Sequence, residues 1–285
     1  MKVEKSINPS LDVKETFGQC GTCSQTFAKL LNHEFGISEP EVEYAADPLA
    51  GGISNQGHQC GMLWGSALAI GAEAYRRFEN EDQALAAAVS ASQAIIHSFQ
   101  NRSKTVNCKE IIGYDLTSVI GLVQFMFKAF RKGMKNSQCF NLADEWAPEA
   151  IEASKEGLDN KNIVLDGKPI SCASEVVKRL GGSDREAMLV AGFAGGLGLS
   201  GNACGALAAA IWYHNLIWCR ENKGKRPSLF NNRVAKKLLT AFKAETNSCM
   251  ECSKITNCEF TDINEHSNFI RAGGCEHLIE MLSKK

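Results

Sequence analysis

Apolar residues recur every three to four positions over long stretches rich in Ala, Leu, Glu, Lys and Gln. That spacing lines one face of an α-helix. It predicts helices over 24–35, 61–78, 82–101, 116–133, 174–180, 205–222 and 233–246. Runs of Val, Ile and Thr that alternate with polar residues, the mark of a half-buried strand, are nearly absent, so the pattern predicts an all-α fold. Gly36 and the pair Gly181–Gly182 fall where two of these helices should stop. Residues 152–168 are polar and without periodicity and read as a linker between two halves.

The two halves repeat one another. Ala50-Gly51-Gly52 is followed, after seven residues, by Cys60-Gly61, and Ala194-Gly195-Gly196 is followed after seven by Cys204-Gly205. A long apolar helix pattern comes next in both. Upstream, Cys23 aligns with Cys172; downstream, Cys139 and Cys275 each begin a Cys-x-x-Leu. Between them, Cys108 stands 48 residues after Cys60, as Cys252 does after Cys204, but flanking residues make Cys249 the better match to Cys108. The third position is therefore read as Cys249, with Cys252 the alternative on spacing. A repeat this long means a duplicated domain rather than a solenoid unit. We expect two homologous helical modules, 1–155 and 156–285, packed as a pseudo-two-fold pair.

Charge narrows the function classes. Lys+Arg 31 against Asp+Glu 32 gives a net charge of −1, which argues against a nucleic-acid binder or a polybasic membrane-surface protein. The N-terminus has no apolar core like that of a signal peptide, and the longest apolar run, 188–199, is too short for a membrane span. A cytoplasmic protein is expected. There, 12 cysteines point to metal or redox chemistry rather than to standing disulfides. The short basic stretch Lys223–Arg226 reads as a solvated turn. Nucleotide-loop, zinc-protease and serine-hydrolase motifs are missing.

Cys60 and Cys204 each leave a glycine-rich loop and open a helix pattern. Free N–H groups and the helix dipole at such an entry favour a thiolate, the form that ligates metal or attacks a disulfide. These two are the candidate catalytic cysteines. His58, two residues before Cys60, has no counterpart at Asn202, which argues against a Cys–His dyad in both halves. Cys20-x-x-Cys23 and Cys249-x-x-Cys252 are each followed by Ser, not His, so covalent haem attachment is not expected. Cys219, among apolar residues, reads as core.

The ordered cysteines resemble the C-GCAxxG-C-C family, described as redox-active: one Cys, a GCAxxG motif, then two later single Cys. The second half resembles it through Cys172, Ala203-Cys204-Gly205-Ala206, Cys249 or Cys252, and Cys275. The first half does so through Cys23, Gln59-Cys60-Gly61, Cys108 and Cys139. Gln59 and Ala203 depart from the Gly-Cys opening, and Met62 replaces the motif alanine. A similar module stands beside haem domains in split-Soret cytochromes, where an iron–sulfur cluster is implied. The resemblance thus implies clusters held by Cys23, Cys60, Cys108 and Cys139, and by Cys172, Cys204, Cys249 (or Cys252) and Cys275. Four thiolates suffice for [2Fe–2S] or [4Fe–4S]; we expect [2Fe–2S]. Electron transfer with an unidentified redox partner follows as the expected function, and a homo-oligomer is compatible with it. The alternatives are a cofactor-free dithiol–disulfide oxidoreductase and a noncatalytic zinc-binding protein.

Overall fold

The computed structural model describes residues 10–229 and 231–284, so most of the N-terminal segment read for a signal peptide lies outside the described residues. The first half folds as α1 (Val13–Cys20), α2 (Cys23–Glu34), α3 (Pro40–Ala45), α4 (Gly61–Arg77), α5 (Glu81–Ser103), α6 (Cys108–Ile112), α7 (Val119–Lys132) and α8 (Gln138–Leu158). The second half folds as α9 (Cys172–Arg179), α10 (Asp184–Leu189), α11 (Gly205–Glu221), α12 (Arg233–Glu245), α13 (Cys252–Thr256), α14 (Ile263–Arg271) and α15 (Glu276–Leu282). From α2 and from α9 onward the same order runs twice, including a short 3-10 turn before each glycine loop (Asp47–Leu49 and Ala191–Phe193). Among the described residues there is no β-strand; two isolated bridges join Gln59 to Asn107 and Ala203 to Glu251.

Local chemistry explains the helix ends. Thr22, Asn80, Ser118, Ser171 and Asn232 each accept a first-turn N–H, capping α2, α5, α7, α9 and α12. Ser183 and Glu186 close a reciprocal capping box on α10. Gly36 and Gly181 follow α2 and α9 with positive φ, the conformation of a helix stop. The linker reading begins too early: α8 continues to Leu158 through Pro148, because Ala150, Ile151, Ala153 and Leu158 are buried.

The modules share one core. α4 and α11 are buried along nearly their whole length, each packing on elements of the other half. α10 lies on α4 and α3 lies on α11, so the exchange is reciprocal. The Trp64 ring of α4 meets Phe193 edge-on at 4.8 Å, while Trp212 of α11 donates from Nε1 to the Val42 carbonyl at 3.3 Å. Gln59 and Ala203, matching positions in the repeat, meet across the pseudo-two-fold. Gln59 accepts the Ala203 N–H at 3.1 Å and donates to the Gly196 carbonyl at 2.8 Å. The basic stretch at Lys223–Arg226 is more than a solvated turn. Arg226 donates to the Cys20 carbonyl at 2.7 Å and lies over the Tyr44 ring, tying the second half to the first.

Candidate functional site

Each module gathers its cysteines from four separate elements. Cys23 and Cys172 open α2 and α9, while Cys60 and Cys204 are the N-cap residues of α4 and α11. Cys108 and Cys252 are the first residues of α6 and α13. Cys139 lies in the first turn of α8, and Cys275 is the N-cap of α15 with φ 60°. All twelve cysteines are free thiols.

Backbone pairing fixes the register of the third cysteine. Cys60 N–H donates to Val106 and Cys108 N–H to His58; Cys204 N–H donates to Met250 and Cys252 N–H to Asn202. Offset for offset, Cys252 therefore stands where Cys108 does. The Cys249 reading is corrected: that residue sits one turn earlier, its thiol reaching the Glu251 carbonyl at 3.9 Å. Flanking residues misled because they follow local turn chemistry, whereas the two-strand-like bridge sets the spacing of 48. Each Cys-x-x-Cys pair thus sends one member, Cys23 or Cys252, into its set. Cys20 is buried beside Lys29, Arg226 and Glu43 instead, and burial raises its pKa.

Between the first and second cysteine of each set runs a left-handed turn. Residues 51–55 all have positive φ, from 50° to 73°, as do 195–199, from 53° to 81°. Equivalent hydrogen bonds close both turns: Ile53 N–H to Leu49 and Gly57 N–H to Gly51, against Leu197 N–H to Phe193 and Gly201 N–H to Gly195. Ile53, Leu197 and Leu199 are buried and carry side chains in a conformation that costs about 1–2 kcal/mol per residue. Such strain persists only where the surroundings over-determine it, and it clusters at functional sites. The turn aims the Gly51 N–H at the Cys23 sulfur and the Gly195 N–H at that of Cys172. Gly61 is required by the site itself: a Cβ there would stand 2.6 Å from the Cys23 sulfur.

The thiols of each set influence one another. The Cys60 thiol faces the Cys23 sulfur and, with the N–H groups of Gly51, Cys23 and Ser24, holds Cys23 below the ordinary thiol range against the opposing effect of burial. Cys60 is pushed well above that range by the same contact and by burial. Burial, then Cys23, raises Cys108 and lifts Cys139 to about 12. In the second set burial dominates, lifting Cys172, Cys204 and Cys275 to about 12 and raising Cys252. There Cys204 acts on Cys172, Cys275 on Cys204, and all three on Cys252; Cys258 acts on both Cys252 and Cys275. Helix entry does not by itself bring Cys60 or Cys204 below the ordinary thiol range. The N–H groups of Met62, Leu207 and Ala206 do lower these cysteines, but the Cys23 contact and burial outweigh them at Cys60, burial outweighs them at Cys204, and neither sulfur closes a cap. Burial lowers the His58 pKa, and Glu251 and Lys243 of the other module act on it in opposite directions.

The first set opens on an apolar cavity of about 300 Å3, where Cys23, Cys108 and Cys139 meet Phe17, Phe125 and Phe140. Among the described residues, no three His, Cys, Asp or Glu side chains converge as a ready-made site for a single metal ion. No helix among the described residues is long and apolar enough to cross a membrane.

A family model described as "Putative redox-active protein (C_GCAxxG_C_C)" matches twice, over residues 21–156 and 170–285. No curated protein and no solved structure matches the chain. The two matches cover the two helical modules and both cysteine sets; the chain belongs to the C_GCAxxG_C_C family, as a tandem pair of its modules.

Proposed function

We propose that each module binds one iron–sulfur cluster, through Cys23, Cys60, Cys108 and Cys139 and through Cys172, Cys204, Cys252 and Cys275, and that the protein carries electrons. The observation that supports this reading is the gathering of four buried or half-buried thiols from four elements, repeated in both modules with the same backbone pairing. Four thiolates are the donor set such a cluster takes. The apolar cavity beside the first set and the missing Cβ at Gly61 leave room against the sulfurs. When bound, the cluster supplies one-electron transfer. The chain's own part is to exclude water with Phe17, Phe125 and Phe140 and to aim the Gly51 and Gly195 N–H groups at a ligand sulfur. Hydrogen bonds to sulfur and burial are the levers that tune a cluster's potential.

One observation favours a second reading, dithiol–disulfide exchange in the first module: the Cys60 thiol faces a Cys23 sulfur whose pKa is lowered. Cys23 thiolate would attack a substrate disulfide and expel one substrate thiolate. Cys60 would then displace the second substrate thiolate, its own proton going to solvent, and leave a Cys23–Cys60 disulfide with the substrate reduced by two electrons. Purification without oxygen, with iron, sulfide and zinc analysis and visible spectroscopy, separates the readings. Iron and acid-labile sulfide with charge-transfer absorbance support the clusters. Zinc without sulfide, or a colourless metal-free protein that reduces disulfides, overturns them.

A further inference from the structure

Among the described residues, six of the nine exposed large hydrophobics lie on helix α7. Val119, Ile120 and Phe130 are 78%, 72% and 70% exposed, and Val123, Met126 and Phe127 are exposed beside them. At 100° per residue these six fall on one continuous arc of the helix. The opposite side is also apolar, with Leu122, Phe125 and Ala129 facing the cavity beside Cys23, Cys108 and Cys139. The helix therefore roofs the first cysteine set with one face and shows solvent a second apolar face. A contiguous patch of this kind marks an interaction surface.

Charge decides the partner. From Leu116 to Ala143 the chain carries Lys128, Arg131, Lys132 and Lys135 and no Asp or Glu, a local charge of +4 in a protein of net −1. Lys128 and Arg131 lie on the same helix beside the exposed arc; the Lys128 ammonium stands 5.2 Å from the Tyr114 ring centroid and the Arg131 guanidinium 5.8 Å from that of Phe127, so both cations sit against aromatic rings of this region. An apolar face flanked by cations is the form of a helix that lies in the plane of a membrane interface, its apolar side among acyl chains and its cations at anionic headgroups. A second copy of this chain would set two cationic helices against each other. With 14 residues α7 is too short to span a bilayer, so it lies on the surface.

We propose that α7 seats the protein on an anionic lipid surface, placing the cavity of the first cysteine set next to the membrane. This does not depend on the cofactor reading. The test is flotation of the full chain with vesicles of phosphatidylcholine plus phosphatidylglycerol, against phosphatidylcholine alone, at low and high salt. Binding is expected only to the anionic vesicles and should weaken with salt. Lys128→Ala with Arg131→Ala should lower the partition about 30-fold, from about 1 kcal/mol per basic residue near such a surface. Val123→Asp with Phe127→Asp should abolish it while circular dichroism and thermal unfolding stay as in the parent, because both side chains face solvent. No flotation with anionic vesicles, or flotation that ignores both variants, overturns the proposal. So does a dimer in sedimentation that the aspartate variant dissolves with no vesicle binding by the parent, since the face then belongs to a second copy.

Discussion

The two modules use one backbone plan and differ in what they bury beside it. Each has a left-handed turn, a bridge of fixed register and four thiols. In the first, Thr22 caps α2 and donates to the carboxyl of buried Asp47 at 2.5 Å; in the second, Ser171 caps α9 and donates to the backbone carbonyl of Ala191, where Asp47 has its counterpart. The second buries His266 instead, its Nδ1 3.0 Å from the Ile170 carbonyl and its ring against Phe260. The first roofs its thiols with α7, of 14 residues; at the same place in the order the second has α14, of nine. Duplication thus preserves the geometry around the sulfurs and lets the electrostatic surroundings diverge.

If the modules are interdependent, an anchor between them should cost as much as any core residue. Trp64→Ala removes the contact with Phe193 and the hydrogen bond to the Gln59 carbonyl, and we expect a loss of about 3–5 kcal/mol. Chemical denaturation should remain a single transition. A biphasic curve in which only half the helix signal shifts would mean that the modules fold independently.

The buried acid and the buried imidazole sharpen the comparison by opposing each other with pH. Burial lifts Asp47 from 3.8 to about 6, with Thr22 and Arg226 pulling the other way. The fold therefore binds a proton that the unfolded chain has released, so this contribution is full below about pH 4 and is lost as pH rises to about 6. Burial lowers His266 from 6.5 to about 4, although its bond to Ile170 works against the fall. Its contribution is full above about pH 6.5 and is lost as pH falls toward 4. Each is about 3 kcal/mol at its extreme, at 1.36 kcal/mol per unit. Urea denaturation between pH 4 and 7 should show stability rising with pH in Asp47→Asn and falling in His266→Gln. Parallel profiles for the two variants would refute the assignment.

Gln59 breaks the repeat at the pseudo-two-fold itself. Gln59→Ala leaves the Ala203 N–H buried without its side-chain partner, while the Gly196 carbonyl keeps the Ser200 hydroxyl at 2.6 Å, at a cost of about 1–3 kcal/mol. A change below measurement error in thermal unfolding would show that the pair contributes nothing to joining the modules.

Much of this architecture was legible from residue pattern. The seven helices read from periodicity all form, within about three residues at each end, because Ala- and Leu-rich spacing and caps such as Asn80 and Asn232 agree. Among the described residues eight helices escaped. Of these, α1, α3, α6, α10, α13, α14 and α15 have nine residues or fewer and give too little periodicity, though Pro40 and the Ser183–Glu186 box were signals for α3 and α10. The 21-residue α8 was missed because Pro148 and its polar end from 152 hide its apolar face. The left-handed turns were hidden in part by composition, since Ile53, Leu197 and Leu199 are residues that ordinarily avoid positive φ. Their trace was the seven-residue gap between GG and CG. The apolar pattern of 116–133 gave the helix but not that one of its apolar faces is exposed, which depends on what the rest of the fold covers. Cys249 and Cys252 could not be separated locally, because the bridge between Ala203 and Glu251 that decides the register joins segments nearly fifty residues apart.

That register offers the most direct test of the cluster reading. Cys252→Ser and Cys249→Ser, purified without oxygen, should be compared with the parent for iron and acid-labile sulfide per chain. Cys252→Ser should lose the content of one module and keep that of the other, while Cys249→Ser should keep both. Full retention by Cys252→Ser, or loss through Cys249→Ser instead, would contradict the account of two equivalent four-cysteine sites.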